Sequence, residues 1–272
     1  MALAVDDFAF VQALVRRKAA IVLDPGKEYL VESRLLPLAR SEGFASIAGL
    51  LDDLRKNPHN GLNRRVVQAM TTNETAFFRD GHPFEILRTT VIPEVMEHKR
   101  STRRIDIWSA ACSSGQEAVS IGMTLKEHFP QLVGWTVRIL CTDLSTDMLA
   151  RCRAGRYSQL EVNRGLPASL LVKHFRNEGI EWVASSDLRR MMECKELNLA
   201  EAWPVLPRFD VVFMRNVMIY FDVETKRSIL RRLRSVMRPG GWLFLGGAET
   251  TLNLDDAWQR TPVGRSVVYR SP

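Results

Sequence analysis

Apolar residues at helical spacing open the chain. Phe8, Val11, Leu14 and Val15 fall on one face of a helix, with Asp6 or Asp7 placed to cap it. After the Asp24-Pro25-Gly26 turn, Leu30, Arg34, Leu35 and Leu38 keep the same spacing. Ser46 is positioned to cap a third segment bearing Ile47, Leu50, Leu51 and Leu54, which Asn57-Pro58 closes, and Leu62, Val66 and Met70 fit a fourth. No clear strand pattern interrupts these segments. Residues 1–75 therefore read as a small all-helical domain.

From His82 the pattern alternates. A helix over His82–Lys99 is followed by a strand from Arg103 to Ala111, a Ser/Gly turn, and a helix from Glu117 to His128. Thr136–Asp143 is a second strand and Thr146–Ala154 a second helix of this region. Met192–Asn198 and Phe209–Asn216 supply two more strands. A helix over Val223–Met237 is ended by Arg238-Pro239-Gly240-Gly241, with Trp242–Gly246 as a fifth strand. The tail from Trp258 to Tyr269 has the two short runs of a terminal antiparallel hairpin. Strands alternating with helices predict a mostly parallel, doubly wound α/β sheet over residues 76–272. A short hairpin insertion is expected near 175–195, on Phe175–Ala184.

Composition narrows the class without choosing a function. A hydrophobic share of 46% and a charged share of 25% exclude a disordered or fibrous chain. No apolar run approaches the ~20 residues needed to span a bilayer, and the opening residues lack a signal-peptide pattern, so the expectation is a cytoplasmic protein. Cys112, Cys141, Cys152 and Cys194 lie far apart with no CxxC, and predict neither a zinc knuckle nor a disulfide framework. His59, His82, His98, His128 and His174 show no metal-ligand spacing, so no metal is expected. The net charge of +7 invites nucleic acid or another acidic partner. Only one of those seven charges belongs to the helical region, which holds 10 basic and 9 acidic residues through Glu74.

In an open α/β sheet the ligand lies beyond the carboxyl ends of the strands. The first such end is Ser109-Ala-Ala-Cys-Ser-Ser-Gly115-Gln-Glu117, a run of small residues that admits a ligand close to the backbone. It is neither G-x-G-x-x-G nor a loop ending in Gly-Lys-Ser/Thr, which argues against a dinucleotide or a nucleoside triphosphate. Asp143 ends the second strand, where an acid accepts from both ribose hydroxyls of an adenosine or simply caps the next helix. A ribose-binding acid without a phosphate loop points to S-adenosylmethionine.

Three longer stretches carry a resemblance: Thr71-Thr-Asn-Glu-Thr-Ala-Phe-Phe-Arg79-Asp, Trp108-Ser-Ala-Ala-Cys-Ser-Ser-Gly-Gln-Glu117, and Phe213-Met-Arg-Asn-Val-Met-Ile-Tyr220-Phe-Asp. In this order they resemble the bacterial chemotaxis receptor methyltransferases, the CheR family, over nearly the whole chain. The resemblance implies a class I S-adenosylmethionine-dependent methyltransferase sheet. It further implies methylation of receptor glutamates to methyl esters, with S-adenosylhomocysteine as product. It places Asn73, Thr75 and Arg79 on the cofactor from the linking segment, and Ala111 and Glu117 from the first loop. Asp143 would hold the ribose, Asn198 and Leu199 would flank the adenine, and Met214 and Arg215 would contact the cofactor from the fourth strand. Tyr220 matches a tyrosine near the transferring methyl, and Arg79 and Tyr220 are the catalytic candidates. Each has a plainer reading: Asn198 closing a turn, Arg215 pairing with an acid, Tyr220 covering apolar surface.

The departures are local. The family's first loop commonly reads Gly-Glu-Glu-Pro-Tyr-Ser where this chain has Gly115-Gln-Glu-Ala-Val-Ser120, and its His-Ser-Glu after the fifth strand is here Gly247-Ala-Glu249. The partners implied are glutamate-rich cytoplasmic helices of chemoreceptors, met by a monomer without membrane insertion. A basic docking face would draw on Arg16-Arg17-Lys18, Arg34, Arg40 and Arg64-Arg65. The short insertion, with only Gly179, predicts no need for a receptor-tail tether. A nucleic-acid methyltransferase is the first rival, but Asn216-Val-Met-Ile-Tyr220 lacks the Asn/Asp-Pro-Pro-Tyr/Phe of base-amine methylation and no basic–aromatic tract stands out. A non-catalytic module that binds S-adenosylmethionine is the second.

Overall fold

The computed structural model describes residues 3–58, 61–264 and 266–272; His59 and Arg265 of the sequence reading lie outside them. The helical region comprises α1 (Val5–Ala19), α2 (Glu28–Ser41), α3 (Ile47–Lys56) and α4 (Leu62–Ala69). Val11, Leu14, Val31, Leu35, Leu50, Leu51 and Val66 interlock in one core, as their spacing requires. Ser46 caps α3 by accepting from Gly49 N at 3.1 Å. The expected cap of α1 is not made: Ala4 occupies that position with no side-chain bond, and the buried Asp7 carboxylate instead accepts from Arg55 at 2.6 Å. Tertiary ion pairing has taken the acid that local sequence assigned to the helix end.

After a linking segment come α5 (His82–Ile86) and α6 (Ile92–His98), joined by a π-helical turn over Leu87–Val91. Pro93 has no N–H to donate back into this helix, and the wide turn absorbs the mismatch. The sheet domain continues with β1 (Arg104–Ala110), α7 (Gln116–His128), β2 (Thr136–Asp143) and α8 (Thr146–Ala154). A small excursion follows: β3 (Arg156–Ser158), α9 (Gln159–Asn163), α10 (Ala168–His174), β4 (Phe175–Glu178), β5 (Glu181–Ala184) and α11 (Ser186–Arg190). Then come β6 (Met192–Glu196), β7 (Phe209–Met214), α12 (Val223–Val236), β8 (Met237–Leu245), β9 (Gln259–Val263) and β10 (Ser266–Arg270).

The main sheet has seven strands in the order β6-β2-β1-β7-β8-β10-β9, parallel except for β10, which runs antiparallel to β8 and β9. Alternation along each strand feeds two cores. Ile105, Ile107, Val211 and Phe213 point to one face, Trp108, Val212 and Met214 to the other. Two sequence expectations change. The Arg238-Pro-Gly-Gly turn lies within β8, where the pairing with β7 jumps from Phe209–Met237 to Val211–Trp242. A Cβ on Gly241 would stand 2.9 Å from Arg238 O, so only glycine fits the irregularity. The expected β4–β5 hairpin is present, but β3 joins it in a three-stranded sheet ordered β3-β5-β4. No described helix is long and apolar enough to cross a membrane.

The helical domain packs across the carboxyl edge of the sheet. Gln68 Nε2 donates to Leu144 O at 2.9 Å, Arg64 pairs with Glu196, and Val22 N donates to Tyr220 O at 2.9 Å. Ile21 and Phe221 form an isolated antiparallel bridge. These ties bring the end of α1 over the loop that follows β7.

Candidate active site

A cleft of about 990 Å³, open mouth included, lies where the carboxyl ends of β1, β2, β6 and β7 face the helical domain. The loop after β1 forms its floor through three left-handed residues, Ala111 (φ 56°), Ser113 (φ 50°) and Gly115 (φ 94°). Two are not glycine, a conformation retained only where surrounding contacts dictate it. At Gly115 a Cβ would fall 2.6 Å from Cys152 Sγ. The folded-back loop delivers Ser113 N to Asp143 Oδ2 at 2.8 Å, while Ser145 N reaches Oδ1 at 2.9 Å. Burial raises the Asp143 pKa, against the opposing effect of backbone N–H groups of Ser145, Ser113 and Leu144. The carboxylate thus held lines the cleft.

Glu117 is held from two sides. Ser109 Oγ donates to its Oε1 at 2.7 Å and Arg215 Nη1 to its Oε2 at 3.1 Å. Arg215, buried, also reaches Asp80 Oδ2 at 2.6 Å and Arg79 O at 3.0 Å. It therefore ties the linking segment to the sheet while facing the cleft. The segment is anchored further by Phe77, edge-on to Tyr157 and Phe175, and by Ser113 Oγ donating to Asn73 O at 2.7 Å. Arg79 is half-buried and bonds only a backbone oxygen, Glu74 O at 3.2 Å; among the described residues no carboxylate pairs with it. Its remaining donors face the cleft unengaged.

Ten of the eleven residues singled out from sequence line this one cleft: Asn73, Thr75, Arg79, Ala111, Glu117, Asp143, Asn198, Leu199, Arg215 and Tyr220. Met214 does not. Its side chain is fully buried in the core beneath, because the alternation of β7 turns it away from the ligand end. Asn198 does close a turn, accepting from Ala200 N at 3.0 Å, and its Nδ2 donates to Lys18 O at 2.7 Å across to the helical domain.

Other lining residues were not legible. Ala19 and Ile21 come from the helical domain, and Leu144, Leu197 and Val217 add apolar wall. Glu249 does not line the cleft but organises its rim, accepting from the backbone N–H of Asn216, Val217 and Met218 at 2.7–2.9 Å and of Gly246 at 2.6 Å. The sequence hint was its match to the glutamate of the family's His-Ser-Glu after the fifth strand. Arg34 also approaches from α2: it donates to Met70 O and Thr72 Oγ1 at 2.5 and 2.8 Å. Burial lowers its pKa, with Tyr220 near enough to oppose that electrostatically.

The sheet order, the terminal antiparallel strands and a cleft with a strand-end acid but no phosphate loop define a class I S-adenosylmethionine-dependent methyltransferase. The family model described as "CheR methyltransferase, SAM binding domain" matches residues 73–266, and "CheR methyltransferase, all-alpha domain" matches residues 6–71. The chain belongs to the CheR methyltransferase family. It is 39% identical over 269 residues to Chemotaxis protein methyltransferase Cher2 of Pseudomonas putida, covering 97% of this chain and 98% of that one. With Chemotaxis protein methyltransferase 1 of Pseudomonas aeruginosa the identity is 40% over 269 residues, covering 97% of each. The Escherichia coli chemotaxis protein methyltransferase is 34% identical over 261 residues, covering 94% of this chain and 88% of that one.

Proposed function

We propose that this protein methylates glutamate side chains on the cytoplasmic helices of chemoreceptors, forming methyl esters and S-adenosylhomocysteine. The observation that carries the reading is the convergence of Asp143, Arg79 and Tyr220 on one cleft. Bound S-adenosylmethionine supplies an electrophilic methyl on a sulfonium. Asp143 holds the ribose hydroxyls, and Leu144, Leu197, Leu199 and Val217 cover the adenine. Asn73, Thr75, Ala111 and Glu117 line the amino-acid end of the pocket; Arg215 sets Glu117 in place.

A substrate glutamate, with an ordinary pKa of about 4.3, is ionised at neutral pH and needs no general base. Catalysis therefore rests on alignment and water exclusion, which supply several kcal/mol. Arg79 offers its fork to a carboxylate, the substrate's or the cofactor's own, and Tyr220 positions the reacting groups. Arg34, beside Tyr220, supports entry of an acidic helix from the helical-domain side. The protein acts in the cytoplasm as a monomer, without a metal in the methyl transfer itself and without a receptor-tail tether, since the β4–β5 turn is short. Labelled S-adenosylmethionine offered with receptor fragments and with nucleic acid side by side tests the reading. Base-labile label on the receptor is the expected result. Label on nucleic acid, or none on the receptor with cofactor bound, overturns it. Calorimetry with a receptor-tail pentapeptide tests the last point, and tight binding would contradict it.

A further inference from the structure

All four cysteines of the chain meet behind the loop that floors the cleft. Cys112 follows β1, Cys141 lies on β2 directly opposite Cys194 of β6, and Cys152 comes from α8. The sulfurs of Cys141, Cys152 and Cys194 all lie within 4.8 Å of one another, and Cys152 and Cys194 are 3.5 Å apart. Cys112 lies in the same buried cluster as Cys141 and Cys152, its thiol donating to Ser113 O at 3.5 Å. Packing alone does not ask for this, since a buried thiol is satisfied as a lone small apolar group. With Zn–S near 2.3 Å, the sulfurs of a tetrahedral site stand about 3.8 Å apart. One pair stands at 3.5 Å and no pair of the three exceeds 4.8 Å, so small side-chain adjustments reach that spacing.

We propose that Cys141, Cys152 and Cys194, with Cys112 as fourth ligand, bind a single thiophilic d10 cation, represented by Zn²⁺. An all-sulfur set selects such an ion over Mg²⁺ or Ca²⁺. Each coordinating thiol releases a proton, so binding tightens as pH rises. The way in is the sheet edge: β6 is an outermost strand, and Cys194 is partly exposed while the other three thiols are buried. Arg153, whose Nη2 lies 3.2 Å from Cys194 O, places positive charge beside the thiolates. Cys112 stands between Ala111 and Ser113 in the cleft, and Cys152 touches Gly115. The cation thus fastens the cofactor-side loop to β2, β6 and α8.

Chelator-treated, fully reduced protein is to be loaded with Zn²⁺ alone, desalted and analysed for metal. One equivalent is expected, together with protection of the thiols from alkylation and, with Co²⁺ in place of Zn²⁺, a sulfur-to-cobalt charge-transfer band. Cys194→Ser, at the partly exposed position, is expected to keep its circular dichroism and lose metal, band and protection. Cys152→Ala gives the same loss should the first variant misfold. Less than a tenth of an equivalent retained by the unaltered protein overturns the site. So does wild-type stoichiometry in both variants.

Discussion

The Glu249 carboxylate is bonded to the backbone of Met218, accepting its N–H at 2.7 Å, and the loop carrying Tyr220 is wound around that one acid. Its Oε1 takes the N–H groups of Val217 and Met218, its Oε2 those of Asn216 and Gly246. Both oxygens are needed as acceptors. In Glu249→Gln one set of N–H groups meets an NH₂. We expect a loss of about 1–3 kcal/mol in unfolding free energy. Turnover should fall by at least tenfold as Tyr220 is released, read by chemical denaturation and a labelled-methyl assay. Wild-type turnover would show that the loop holds its shape without the acid.

Among the described residues the Arg79 side chain bonds only one backbone oxygen, so its removal should leave the fold intact. Arg79→Ala is expected to unfold within about 0.5 kcal/mol of the unaltered protein. Methyl transfer should drop on the order of 100-fold as alignment is lost. Near-normal turnover in a folded variant would remove Arg79 from the site's chemistry.

Two glycines with similar backbones separate strain from crowding. Gly134 has φ 83° with nothing within 4 Å of a built Cβ, whereas Gly115 has φ 94° and a Cβ would fall 2.6 Å from Cys152 Sγ. Gly134→Ala should cost about 1–2 kcal/mol from the left-handed backbone alone. Gly115→Ala should add about 1–3 kcal/mol of overpacking and weaken S-adenosylhomocysteine binding, measured by calorimetry. Equal costs at the two positions would contradict the crowding.

Acid stability carries the mark of Asp106. Burial opposes its ionisation, but Arg104 at 2.8 Å and Arg138 at 2.9 Å outweigh that and hold its pKa below the ordinary value of 3.8. A depressed folded pKa means that its stabilisation is present above the unfolded value and lost as pH falls through the folded one. Asp106→Asn should therefore cost about 1.5–3 kcal/mol at pH 7. It should also flatten the stability curve below pH 4, followed by urea unfolding across pH 2–7. An unchanged acid limb would assign that limb to other carboxylates.

The sheet was legible because alternation and helix caps are local. Thr136–Asp143 and Thr146–Ala154 were bounded correctly, and Ser46 caps as its spacing requires. What escaped was set by long-range geometry. β3 is only three residues long and gains its identity from pairing with β5. Local spacing offers Asp6 or Asp7 as the cap of α1, because Arg55 lies too far along the chain for its pairing with Asp7 to be foreseen. In the site, the motifs named ten residues that line one cleft, whereas the side chain of Met214, expected to act through backbone or shape, is buried beneath it. Ile21 stands outside any motif, and Glu249 belongs to the family's His-Ser-Glu stretch, whose other two positions differ here. The cysteines looked unrelated for the same reason: their neighbourhood exists only once β2 and β6 pair.

The bridge between Ile21 and Phe221, with Val22 N on Tyr220 O, gives the two domains a shared fate. A shortened chain beginning at the linking segment would lack part of the wall around its own reactive loop. Exchanging helical domains between relatives to redirect substrate choice would therefore also perturb turnover, so chimeras need the Ala20–Leu23 junction and the Tyr220 loop transplanted as one matched pair.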